Sequence, residues 1–295
     1  IRQSNRIAPW IPYKNADGTY GTIGDGNPIA WLDLDQVVTR KNQNFTGTLA
    51  LDYDILPDLK LTAQGSYVSN IQDYKDYVKD IQYNANKYHG PNSVDKRIYQ
   101  WNRYNFDLLA NYDHTFGKHS IKGLLGYHIE KYNKDEVRAS RESFPTNDLT
   151  DIDAGAVATQ KNSGFTRELA MMSYFGRINY DYAGKYLFEA NFRADASSRF
   201  SKSNRWGYFP SVSAWRISEE SFMEGTQDWL QSLKIRGSWG KLGNQDALDD
   251  FYPWMVTYSI GSKYPFGGIT NTGVTQTSQK IESISWETTT NWGIA

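Results

Sequence analysis

The feature that most constrains this chain is a two-residue alternation held over stretches of about 10–13 residues. Phe45, Gly47, Leu49, Leu51, Tyr53 and Ile55 share one face of an extended segment, and Thr46, Thr48, Ala50, Asp52 and Asp54 share the other. Pro57-Asp58 then makes a tight turn, after which Leu59, Leu61, Ala63, Gly65 and Tyr67 alternate with Lys60, Thr62, Gln64 and Ser66. The pattern returns over residues 104–113, 119–130, 170–182, 186–195 and 233–241. Over 206–217 two assignments stay open: either Phe209, Trp215 and Ile217 or Tyr208, Val212 and Ala214 form the apolar row. Strands of globular proteins cluster near 5–6 residues, whereas a tilted strand crossing a bilayer needs about 9–11.

The connections carry a second signal. Turns near 57–58, 116–118 and 183–185 are short, while the polar stretches at roughly 1–43, 69–103, 131–169, 196–205 and 242–288 are long. Short turns on one side and long loops on the other are the habit of outer-membrane barrels. Tyr53, Tyr67, Tyr104, Tyr112, Tyr182, Tyr186 and Trp239 gather near strand ends, where a half-wet ring suits a lipid–water boundary. A mean hydropathy of −0.66 does not oppose this, because only every second side chain of such a strand meets lipid. A net charge of −1 offers no electrostatic argument for nucleic acid, and the absence of cysteine excludes disulfides and thiolate metal sites. The expected fold is therefore all-β: part of a transmembrane antiparallel β-barrel, with residues 1–295 as one partial barrel domain. Ser218-Glu219-Glu220-Ser221 reads as the cap of a short helix in an elaborated turn over 218–232. A passive porin shares these signals, and a soluble all-β binding module shares the alternation alone.

No catalytic set, metal cluster or cofactor motif emerges, so the reading is of a protein that is not an enzyme. His114 and His119 flank one turn, and Asp246, Asp249 and Asp250 lie close to Asn244 in one loop; solvated turn and loop residues explain both groups. Arg177, Asn179, Glu189, Arg193, Asp195, Lys234 and Arg236 fall on the polar rows, where they would wet a channel interior or pair with one another. Tyr99, Trp101, Trp254 and Tyr264 lie in the long connections, and their flat apolar faces suit sugar rings or peptide side chains. Candidate substrate contacts are thus Tyr99, Trp101, Trp254, Tyr264, Arg177 and Arg193.

Several stretches resemble the late barrel of SusC-like (SusC/RagA) TonB-dependent transporters. They are Tyr174-Phe-Gly-Arg-Ile-Asn-Tyr-Asp-Tyr182, Ala194-Asp-Ala-Ser-Ser-Arg-Phe200, Arg205-Trp-Gly-Tyr-Phe-Pro-Ser-Val-Ser-Ala-Trp-Arg-Ile-Ser-Glu-Glu220, Leu233-Lys-Ile-Arg-Gly-Ser-Trp-Gly-Lys-Leu-Gly-Asn-Gln245 and Ile284-Ser-Trp-Glu-Thr-Thr-Thr-Asn-Trp-Gly293. The likeness is strong over 170–295 and looser over 1–130. It implies that the chain is part of a barrel of about 22 strands, closed by a plug that, like the TonB box, is not in this chain. It also implies residence in the gram-negative outer membrane and import of an oligosaccharide or peptide with energy relayed through the TonB complex. A SusD-like surface lipoprotein would act as lid, in an assembly of two transporters with two lids.

Overall fold

The computed structural model describes residues 8–22, 26–33, 37–217, 233–246 and 250–295. A short helix, α1 (Pro28–Asp33), precedes the first strands, β1 (Val37–Leu56) and β2 (Leu59–Val78). A small hairpin follows, β3 (Ile81–Asn84) with β4 (Lys87–His89), and then come β5 (Ser93–Phe116), β6 (His119–Glu142), β7 (Lys161–Tyr182) and β8 (Tyr186–Ser197). The chain continues through β9 (Trp206–Ile217), β10 (Lys234–Asn244), the hairpin β11 (Tyr258–Phe266) with β12 (Ile269–Gln276), and β13 (Glu287–Ile294). Nine strands make one open sheet in the order β1-β2-β5-β6-β7-β8-β9-β10-β13, and the neighbours from β7 onward pair antiparallel.

Every segment marked by alternation is a strand. Several run well past the marked span: β1 and β2 have 20 residues each, β5 and β6 have 24 each, and β7 has 22. The stretches 69–103 and 131–169, read from sequence as connections, therefore contain the far ends of β2, β5, β6 and β7. Alternation marks only the part of a strand with an apolar environment on one side. Where both faces meet water, as in Ser69-Asn-Ile-Gln-Asp-Tyr-Lys-Asp76, the period-two signal fades although the backbone stays extended. The capped turn expected over 218–232 lies outside the described residues.

Contacts divide the chain into two compact units. The first comprises Ile1–Phe45, Ser69–Asn102 and Lys134–Arg167. It has ordinary buried cores: Ala30, Ile81 and Tyr83 in one cluster, and Tyr77, Val94 and Phe144 in another. The buried Asn92 side chain ties a loop to the second of these. Its Nδ2 donates to the Phe144 carbonyl at 3.2 Å, and its Oδ1 accepts from the Phe144 amide at 2.7 Å.

The second unit comprises Thr46–Val68, Arg103–Asn133 and Glu168–Ala295. Its apolar row is bare. Leu49, Leu51 and Tyr53 are 80%, 70% and 65% exposed, so no second protein layer covers them among the described residues. Register carries the row from strand to strand. Ile178 lies opposite Ala190, Ala190 opposite Val212, Val212 opposite Trp239, and Trp239 opposite Trp292. This resolves β9: Tyr208, Val212 and Ala214 belong to the bare face. Phe209 instead lies buried on the other face, packed edge-on against Trp286 with ring centres 5.3 Å apart. Gly207 and Gly243 make room for that ring, since a Cβ on either would approach it to 2.4 and 2.1 Å. The Trp286 indole N–H donates to the Arg205 carbonyl at 2.9 Å, joining two of the stretches singled out in the sequence.

Aromatic rings meet across strands at two places along the bare face. Tyr67 contacts Tyr104 at 4.9 Å, Tyr127 contacts Tyr174 at 5.2 Å, and Tyr174 stacks on Trp206 at 6.1 Å. Nearer the short turns, Phe116 stacks on His119 at 5.5 Å, His119 meets Tyr182 at 4.9 Å, and Tyr182 meets Tyr186 at 6.3 Å. From Tyr104 to Tyr112 a strand covers about 27 Å, or about 20 Å in height once tilted by 35–45°, close to the apolar band of an outer-membrane barrel.

A charge placed on this row separates the membrane reading from the soluble one. Leu125 is 70% exposed. On a soluble protein Leu125→Arg would change stability by less than about 0.5 kcal/mol. In a wall facing hydrocarbon it costs about 2–4 kcal/mol. The expected outcome is a marked loss of heat-resistant, folded barrel when the variant full-length protein is inserted into lipid vesicles.

Candidate functional site

Each unit carries polar chemistry of its own. In the second unit the polar side chains mostly satisfy one another. Arg193 donates through Nε to both oxygens of Asp195, at 2.7 and 2.9 Å, and through Nη2 to the buried Ser173 hydroxyl at 2.9 Å. Its guanidinium also covers the Phe175 ring at 5.3 Å. Asp195 is only 6% exposed, so this carboxylate depends on its guanidinium partner. Asn191 donates to Glu189 at 2.8 Å, and a His128 ring nitrogen lies 2.7 Å from Asp107.

The two turn histidines do not converge on each other. Both stack on Phe116, with His114 hydrogen-bonded to Asp58 and His119 to Tyr180, each at 2.8 Å. Asp246 of the acidic loop pairs with Arg199 at 2.9 Å, while Asp249 lies outside the described residues. No group of three or more metal-ligating side chains converges among the described residues.

In the first unit the same alternation brings a different set together. Arg40 of β1, Asn70, Gln72 and Tyr74 of β2, Arg97, Tyr99 and Trp101 of β5, and Lys134 of β6 line a concavity of about 380 Å³. Gln72 donates to Asn42 at 2.8 Å, and Asn70 donates to Asn44, forming an amide ladder along the floor. The Tyr74 ring lies between two guanidinium groups, Arg40 and Arg97, each 5.5 Å from its centre. Arg97 donates to both oxygens of Asp95, at 3.0 and 3.2 Å, and Arg138 binds the same carboxylate. Burial opposes charge on Asp95, yet its hydrogen bonds to Arg97 and Arg138 hold the carboxyl below the ordinary 3.8. The stability this contributes is complete above the ordinary value and is lost as pH falls through the lower folded value.

Six residues were expected to contact substrate. Tyr99 and Trp101 do come together, on one strand face beside Arg97. Arg193 is engaged by Asp195, and Arg177 lies exposed on β7 opposite Asn191. Trp254 is half-buried in the connection after β10, its indole N–H without a partner among the described residues. Tyr264 sits on β11 of the separate, exposed hairpin. Sequence reasoning missed Arg40, Asn70, Gln72, Tyr74, Arg97 and Lys134, because it treated much of their surroundings as loop. The signal available was parity: extending the rows of Thr62 and Asn105 at steps of two reaches Asn70, Gln72 and Tyr74, and then Trp101, Tyr99 and Arg97.

No family model matches the chain. It is 33% identical over 289 residues to the TonB-dependent receptor SusC of Bacteroides thetaiotaomicron, an alignment covering 95% of this chain and 28% of that protein. It is 31% identical over 300 residues to a TonB-dependent receptor of Formosa agariphila, covering 98% of this chain and 29% of that one. In fold it is similar to the RagAB peptide importer in its closed-closed state, with a TM-score of 0.80 at 19% identity over 96% of this chain and 30% of that one. In the open-open state the TM-score is 0.78 over 98% of this chain and 31% of that one. The chain thus spans under a third of the length of these relatives.

The Arg193–Asp195 pair has a measurable structural role. Asp195→Asn leaves the guanidinium without its carboxylate, at a cost of about 1.5 kcal/mol, the low end for charged hydrogen bonds because Arg193 still meets water. The urea midpoint for unfolding of the full-length barrel should fall accordingly.

Proposed function

This chain corresponds to a stretch of the outer-membrane barrel wall of SusC-like, TonB-dependent transporters, and on that premise we propose that the whole protein actively imports a large nutrient. The nutrient is an oligosaccharide or a peptide. Energy reaches the barrel through the TonB complex, and a SusD-like surface lipoprotein covers the mouth. The protein acts by binding and translocation rather than by catalysis.

The observation that carries this reading is the inversion of the sheet in the second unit. Its large apolar side chains are bare, while its Arg, Asp, Glu and Ser side chains turn to the opposite face and bond to one another. Such a sheet is stable where hydrocarbon covers the bare row and water fills the other side. Sequence likeness along nearly the whole chain supports assigning that wall to energised importers rather than to open porins. Substrate contact then falls to side chains projecting from the polar face. Tyr99 and Trp101 fit this role through their setting. Trp254, Tyr264 and Arg177 remain within reach of a large cargo, and Arg193 serves to hold the wall.

Two measurements on the full-length protein test the proposal. In a planar bilayer a plugged importer should conduct almost no ions, whereas steady ohmic conductance identifies a porin. In cells, uptake of the cognate nutrient should collapse when TonB is removed, and undiminished uptake without TonB would overturn the proposal.

A further inference from the structure

Taking that import function as its basis, the geometry points to the concavity on β1, β2, β5 and β6 as a subsite for an acidic oligosaccharide, one bearing carboxylate or sulfate groups on its sugar rings.

The charge of the concavity is one-sided. Arg40, Arg97 and Lys134 line it, and no carboxylate does. Arg97 draws on Asp95, but that single carboxylate also serves Arg138, so two guanidinium groups share one negative charge. Arg40 and Lys134 make no ion pair among the described residues. Each rests over an aromatic ring instead, Arg40 at 5.5 Å from the centre of Tyr74 and Lys134 at 5.8 Å from that of Phe165. A ring face holds a cation in place without neutralising it, so both charges stay available to an incoming anion. On the polar face of the second unit Arg193 is matched to Asp195 and Arg103 lies 3.6 Å from Glu130, while Lys234 rests over the Trp215 ring at 5.3 Å.

The uncharged lining chooses the kind of anion. Tyr99 and Trp101 project from one face of β5, two residues apart, and present flat apolar surface of the sort that receives sugar rings. Asn70 and Gln72 are bonded to Asn44 and Asn42, yet each amide keeps spare donors and acceptors for hydroxyl groups. A peptide of mixed composition would bring amino groups that meet no carboxylate in this lining. A neutral sugar would leave the cations unused. The volume, about 380 Å³, lies toward the lower end for small-ligand sites and suits part of a longer chain rather than a whole cargo.

The test uses the purified full-length transporter in detergent and isothermal titration with three probes: oligogalacturonate, maltoheptaose and oligoglutamate. Oligogalacturonate should bind at least tenfold more tightly than either of the others, with affinity falling as salt is raised. The double variant R40Q/K134Q should lose about tenfold or more of that affinity, the scale expected for charge-assisted hydrogen bonds. Lys75→Gln, on the opposite face of β2, should leave it unchanged. Heat-modifiable mobility on gels verifies that each variant is folded. Equal affinity for maltoheptaose and oligogalacturonate, no measurable oligogalacturonate binding, an unaltered preference in the folded double variant, or oligoglutamate binding as tightly as the uronate would each overturn the inference. If TonB-dependent uptake of a neutral sugar persists in such a case, the import function stands without this subsite. Free conductance without TonB overturns the import function itself.

Discussion

Inside hydrocarbon no water is present to satisfy a backbone N–H or C=O, and the arrangement of this chain follows from that single constraint. Each strand must hydrogen-bond to neighbours on both sides along its whole crossing. The sheet accordingly joins strands that follow one another in sequence wherever a short turn permits, as β7 to β8 does through Ala183 and Gly184, both at positive φ. β1 and β13 form the edges of the nine-stranded sheet. In a barrel of about 22 strands such edges find partners, so an open sheet of these lengths makes sense as part of a larger wall.

The same constraint inverts the usual layout of a protein. In the first unit, apolar side chains such as Ile81, Tyr83 and Val94 turn inward and are almost wholly buried. In the second unit, Leu49, Leu125, Ile178 and Trp292 turn outward, while Asp195 and Ser173 are buried. Both layouts obey one rule, that apolar surface avoids water. They differ because hydrocarbon solvates the outer row of the second unit, whereas the first unit must build its own core. In the second unit, charged side chains can therefore be kept without penalty only on the face turned away from hydrocarbon. The Arg193–Asp195 pair lies there, a charge matched by its partner.

The eight alternating segments read from the sequence are all strands of the main sheet, and the Trp286 stretch enters a ninth, β13. The β3–β4 and β11–β12 hairpins escaped notice, since short or uniformly exposed strands lack a strong two-residue period. Of the site, Tyr99 and Trp101 were legible as aromatic residues in polar surroundings. Asn70, Gln72, Tyr74 and Arg97 could be reached only by parity, and Arg40 and Lys134 lie far from them in sequence and resemble ordinary solvated charge.

The sequence by itself determined the class of structure and the environment it needs. The period of two and its length depend only on local backbone geometry and on which side chains water rejects, and both can be read residue by residue. Tertiary structure alone decided which row of β9 faces outward, how far the strands continue past the alternating spans, and which charges are neutralised. Those outcomes rest on register between strands distant in the chain: Val212 faces the bare side because it lies opposite Ala190 and Trp239, and Arg40 meets Tyr74 because β1 lies against β2.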